Sequence, residues 1–157
     1  MNHAAFHCRL VSLRQSHRVA LAVTTVSLAS AVACASFGRS ERALETREWR
    51  LAELGGQPAV PSTGMRRAHL RFSADAMRVT GSGGCNSLTG SYKVVADRLV
   101  FGPIQSTSMA CADARLNRQE TDFHFALQGT NRYEITRDTL ILIHDGERLA
   151  RLVGAPR

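Results

Sequence analysis

The stretch from Gly81 to Cys111 constrains the chain most. It opens as Gly81-Ser-Gly-Gly-Cys85-Asn86-Ser-Leu-Thr-Gly90-Ser-Tyr92 and closes as Thr107-Ser-Met109-Ala-Cys111. A cysteine stands at each end. Between them lie a glycine-rich turn, two strand-like runs and a Gly102-Pro103 break. Proline has no N–H to give a ladder, so pairing stops there. The glycines before Cys85 permit positive φ or close backbone approach, and Asn86 is suited to bond the backbone of the turn. An anion-cradling nest is the functional alternative. The run lacks the Lys-Ser/Thr ending of a P-loop, so Gly84 and Asn86 are read as structural.

Short period-2 runs surround this stretch. Trp49 and Leu51, Leu70 and Phe72, and Met77 and Val79 each alternate with polar neighbours and predict strands. Gly55-Gly-Gln-Pro58 is expected to end the first of them, and 58–64 reads as a loop. Leu88 to Val95 carries Gly90, Tyr92 and Val94 on one face, and Arg98 to Phe101 returns after an Ala96-Asp97 turn. Ile104 to Thr107 is a short extended piece. Near the C-terminus, Tyr133 and Ile135 alternate, Leu140-Ile-Leu-Ile143 is apolar on both faces as a central strand is, and Asp145-Gly146 is a strong hairpin signal before Leu149–Val153. Only Asp113 to Gln128 changes period: Leu116, Phe123 and Leu127 share one helical face, with Asp113 placed as N-cap and Gly129 as the C′ residue. The pattern predicts an α+β fold, mostly antiparallel β, with a curled sheet or half-barrel of seven to eight short strands packed on one α-helix.

The first 33 residues have a different character. Arg9, Arg14 and Arg18 precede the apolar run Val19–Leu28 and the small residues Ala29–Ala33, the layout of a secretory signal peptide. The apolar stretch is about 15 residues, short of the roughly 20 that a spanning helix needs. Ala31-Val-Ala-Cys34 is similar to a bacterial lipobox, although Ala31 stands where Leu is usual, and Ala31-Val-Ala33 also suits ordinary signal peptidase. Lipidation of Cys34 is favoured because it removes an unpaired thiol from an oxidising compartment. Ala35 in the next position suggests the outer membrane, and a diacyl anchor would hold firmly. Residues 34–47 then form the lipidated N-terminus and a polar tether, and 48–155 the folded domain. The chain of 157 residues carries a formal charge of +7. Losing three arginines with the signal leaves +4, a weak argument for nucleic acid, which is not expected as a partner.

The pieces Trp49-Arg-Leu51, Leu70-Arg-Phe72, Gly84-Cys85-Asn86, Gly90-Ser-Tyr92, Leu99-Val-Phe101-Gly-Pro103, Thr107-Ser-Met-Ala-Cys111, Glu120-Thr-Asp-Phe123, Tyr133 and Leu140–Val153 resemble, in this order, the META domain or HslJ-like family of small bacterial envelope proteins. The Gly-Cys-Asn and Thr-x-Met-Ala-Cys pair is its most specific part. The resemblance implies a compact antiparallel β fold with one packed helix, no established enzymatic activity, and links to heat induction, envelope stress and, in some members, drug tolerance or virulence. Gly84, Asn86, Thr107, Met109 and Glu120 are its structural motif positions.

Within such an exported domain, Cys85 and Cys111 are expected to form a disulfide, worth roughly 3–4 kcal/mol for a loop of that length. Two buried reduced cysteines are the alternative. A metal site joining them to His69, His124 or His144 lacks any C-x-x-C or H-x-x-x-H spacing; neither metal nor cofactor is expected. Thr107 and Ser108 would need His124 and Asp122 as base and orienting acid, but those two sit two apart on a helix and no G-x-S-x-G elbow exists. Met109 is placed in the core. Arg66, Arg67, Arg71 and Arg78 are read as a solvated strand face rather than a patch for acidic partners. The expectation is a monomeric, non-enzymatic, periplasm-facing lipoprotein that binds an envelope component or small hydrophobic ligand, with an assembly or pilot-type module as the alternative and a hydrolase as a third, disfavoured reading.

Overall fold

The structure is a computed structural model that describes residues 42–61, 67–109 and 111–155. The expected signal peptide, Cys34, the first part of the tether and Arg66 lie outside the described residues. The elements in order are β1 (Glu48–Leu54), β2 (Gln57–Pro58), β3 (His69–Ser73), β4 (Arg78–Ser82), β5 (Ser87–Val95), β6 (Arg98–Phe101), β7 (Gln105–Ser106), α1 (Ala114–Gly129), β8 (Arg132–Thr136), β9 (Thr139–His144) and β10 (Glu147–Ala155).

All strands join one antiparallel sheet in the order β6-β5-β4-β3-β1-β10-β9-β8, with β2 added on β1 and β7 on β5. Two irregularities bend it: β1 shifts register between Leu51 and Glu53 against β10, and β10 between Arg148 and Ala150 against β9. An extra residue on one strand increases local twist, so the sheet curls until its ends meet. There the Tyr133 N–H of β8 donates to Asp97 O in the β5–β6 turn at 3.1 Å, and the Arg132 guanidinium pairs with the Asp97 carboxylate. The result is a nearly closed half-barrel with one helix against it.

The core follows from the alternation. Leu70 and Phe72 in β3, Val79 in β4, Leu88 and Tyr92 in β5, and Leu99 and Phe101 in β6 all point inward, and Phe123 and Leu127 of α1 complete the cluster with Leu140, Leu142 and Leu152. The Phe72 and Tyr92 rings meet edge to face at 5.0 Å, a geometry that aromatic quadrupoles favour. As expected of a central strand, β9 lies between β8 and β10, with Leu140, Leu142 and Ile143 buried.

Four local expectations are corrected. Residues 42–47, read as tether, pack on the domain: 42–45 form a helical turn, Leu44 is fully buried, and the Trp49 indole N–H donates to its carbonyl at 2.7 Å. A single leucine among charged residues carries no periodicity, which is why this anchor was not legible. Gly55-Gly56 ends the first strand after Leu54 as expected, but Gln57-Pro58 is not part of the break: it pairs back on β1 as β2, both glycines having positive φ (54° and 76°), as a type I′ hairpin needs. Met77 is not in a strand; it takes φ 47° in the β3–β4 turn and is largely exposed. Gly129 is the last residue of α1 rather than a left-handed C′ residue. Thr130 closes the helix, its N–H bonded to Leu127 O at 3.2 Å and its hydroxyl to Ala126 O at 2.7 Å. At the other end Asp113 is the N-cap, accepting from Arg115 N at 2.8 Å.

Candidate functional site

The loop between β4 and β5, the irregular segment after β7 and the first half of α1 converge at one end of the sheet. Asn86 is the centre. Its Oδ1 accepts from the Thr107 hydroxyl and from Met109 N, each at 2.8 Å. Its Nδ2 donates to Met109 O at 3.1 Å and to Glu120 Oε2 at 2.7 Å. Its backbone carbonyl accepts from the Ser82 hydroxyl at 2.8 Å and from Gly83 N at 3.1 Å. The side-chain amide of this buried residue thus spends its whole donor and acceptor set on the protein.

Glu120 is the second hub. Oε1 accepts from Cys85 N at 2.9 Å and from Asn86 N. Oε2 takes the Asn86 amide and lies 3.4 Å from Cys111 Sγ. Gly83 lies tight against it: a Cβ there would come 2.7 Å from Glu120 Cγ. Gly84 has φ +127°, a conformation that side chains rarely adopt. Cys85 and Cys111, 26 positions apart, are bonded with their Cα atoms 5.9 Å apart, within the range a disulfide tolerates. Gly84, Asn86, Thr107, Met109 and Glu120, scattered over three segments of sequence, are thereby brought together.

Two assignments within this cluster differ from expectation. Met109 enters through its backbone; its side chain is 52% exposed and not in the core. Gln119, which was not singled out, is a third hub. It is buried, its Nε2 donates to Gly83 O at 3.0 Å, and its Oε1 accepts from Val60 N at 2.6 Å. The signal was present: position 119 is three residues after Leu116 and four before Phe123, so a polar side chain occupies the apolar stripe.

A groove runs along each side of α1. One, about 410 Å³, is formed by Leu54, Pro58 and Val60 from the β1–β2 region with Ala114, Arg118 and Asp122 of the helix. The other, about 340 Å³, is lined by Asn86 and Thr107 from the loops and by Glu120, His124 and Phe125 of the helix. Asp122 and His124 therefore face different grooves, and His124 Nε2 is engaged with Ile104 O at 3.0 Å. They are not assembled with Ser108 as a hydrolytic set. The other two candidate histidines also lie elsewhere: His69 Nδ1 meets Arg67 O at 2.8 Å and His144 Nδ1 meets Gly129 O at 2.6 Å. Among the described residues, the group that could gather on a metal is Cys85, Cys111 and Glu120. Of the arginines, Arg71 pairs with Glu48 and lines a shallow outer hollow with Arg78.

The half-barrel, the helix α1 packed against it and the disulfide-bonded glycine loop define an α+β module in which the signature residues hold loops together. A META domain profile matches residues 42–155, and the chain belongs to the META domain family. Solved structures share the fold. A protein known by an NMR structure is 23% identical, covers 71% of this chain and 92% of its own, and superposes with a TM-score of 0.59. An NMR structure of a protein from Burkholderia xenovorans is 20% identical over 91% of this chain and 99% of its own, with a TM-score of 0.59. The crystal structure of a DUF4847 family protein from Bacteroides vulgatus is 16% identical over 75% and 99%, with a TM-score of 0.52. A comparison with curated proteins finds no match.

Proposed function

We propose that the chain is a non-enzymatic, HslJ-like envelope lipoprotein whose META domain binds a small hydrophobic ligand or envelope component under stress. The observation that carries this reading is the groove of about 410 Å³ floored by Leu54, Pro58 and Val60, a size typical of small-molecule sites. A lipid on Cys34 holds the domain to the outer membrane, facing the periplasm, as a monomer that needs no cofactor and contacts no nucleic acid. The signature residues Asn86 and Glu120, with Gln119 beside them, support a scaffold role because they bond protein groups on three segments.

Titration of the protein with lysophospholipid and hydrophobic drugs, followed by native mass spectrometry, tests it. Binding should weaken about tenfold or more in Leu54→Arg, as loss of an apolar contact face implies. Equal binding by the variant, or none by the parent, defeats the reading. A second reading, an assembly module, is favoured by Phe125, which is 65% exposed beside the smaller groove. In that case pull-downs capture one stoichiometric protein partner, and Phe125→Glu abolishes the capture.

A further inference from the structure

Cys85, Cys111 and Glu120 each offer a ligand atom, and the three atoms lie within 4.8 Å of one another in half-buried positions. We propose that reduction of the disulfide converts this cluster into a binding site for one thiophilic divalent ion, of the Zn²⁺ or Cd²⁺ type. The geometry is nearly prepared. Two ligands of a tetrahedral Zn²⁺, a thiolate at about 2.3 Å and a carboxylate oxygen at about 2.0 Å, stand about 3.5 Å apart. Glu120 Oε2 already lies 3.4 Å from Cys111 Sγ. The two sulfurs have to part to about 3.8 Å to share the same ion, a change that rotation about χ1 of either cysteine supplies.

The carboxylate is also held as metal-bound carboxylates are. Cys85 N fixes Oε1 at 2.9 Å and the Asn86 amide fixes Oε2 at 2.7 Å, so its orientation is set before any ion arrives. These bonds leave Oε2 a lone pair for a metal. Three protein ligands leave the fourth position to solvent. The redox step balances with a dithiol reductant. It delivers two electrons and two protons, the Sγ–Sγ bond breaks, each sulfur becomes a thiol, and the reductant leaves as its own disulfide. Binding of the ion then releases the two thiol protons to water. The oxidised domain, with its sulfurs bonded to each other, does not form the site.

The test uses the full chain carrying Cys8→Ser and Cys34→Ser, so that the remaining two thiols report alone. It is reduced with a dithiol, freed of reductant anaerobically and titrated with Cd²⁺, with thiolate-to-metal charge transfer and far-ultraviolet circular dichroism read together. One equivalent should saturate the reduced chain, restore its thermal stability towards that of the oxidised form, and leave the oxidised chain unaffected. Glu120→Gln should weaken binding about tenfold or more, the scale seen when a metal loses supporting ligand interactions. If the Gln variant does not hold its fold, Glu120→Asp, which keeps the charge but shortens the reach, should show the same weakening. Equal affinity in a folded Glu120 variant means two thiols alone suffice and overturns the site, as does absence of binding, or binding that leaves the reduced chain's stability unchanged.

Discussion

At the scale of single residues, one amide does the most. Asn86 makes four side-chain hydrogen bonds to groups on two other segments. Deleting it leaves partly buried partners unsatisfied, each costing about 1–3 kcal/mol when water cannot replace the bond. Asn86→Ala should therefore lose roughly 2–4 kcal/mol of stability in urea unfolding. Asn86→Asp should fare no better at neutral pH, since it removes both donated bonds and sets a second carboxylate against Glu120. The surface gives a pH signature at Glu48. The Arg50 guanidinium holds its carboxyl below the ordinary 4.5 against the opposing effect of burial, with further help from the Arg71 guanidinium. A lowered folded value means stability that is present above pH 4.5 and lost as pH falls through the folded value. The stability difference between parent and Glu48→Gln should thus be greatest near neutrality and vanish in acid, as read by melting temperature against pH. Asn86 could be singled out in the sequence because Asx chemistry next to glycines is local. The partners of Glu48 and Gln119 could not, because Arg71 lies on the neighbouring strand β3 and Val60 and Gly83 lie far from the helix in sequence, even though a polar residue in the apolar stripe marks position 119.

At the scale of elements, glycines separate turn chemistry from packing. Gly83 meets Glu120 at 2.7 Å as soon as a Cβ is built, so Gly83→Ala should push α1 from the β4–β5 loop and lower the melting temperature. Gly129 has the opposite outlook. It lies in the helix without positive φ, and a Cβ there would touch Leu149 at an ordinary 3.6 Å. Gly129→Ala should stabilise by about 0.5–1 kcal/mol through helix propensity and a less floppy unfolded chain; destabilisation would show that the end of the helix is left-handed after all. Strand and helix periods were legible because burial on one face leaves alternation behind. That is why Leu70, Phe72 and Leu140 were placed correctly. Met77 misled because an apolar residue two before Val79 satisfies a period-2 pattern even when a turn claims it. Gly129 misled because composition alone cannot tell a helical glycine from one beyond the end.

At the scale of the molecule, the covalent link joins the segment before β5 to the approach of α1. Breaking it frees a 26-position loop and should cost roughly 3–4 kcal/mol. Cys85→Ser with Cys111→Ser should show that loss in urea midpoints, and parent protein under a dithiol should reproduce it. The sheet-plus-helix class could be read from the chain, since hairpin signals and one change of period leave few architectures. The curl into a half-barrel was part of that expectation, but the contact that closes it could not be read, because Asp97 and β8 lie far apart in sequence with no apolar pattern between them. That contact reaches beyond the single chain. A sheet usually finishes in two open rims that can recruit a neighbour. Here the Asp97–Tyr133 bond brings the rims against each other, and the extra pieces β2 and β7 are two residues long. Molecules built this way can be crowded side by side with little backbone left to zip into a fibre.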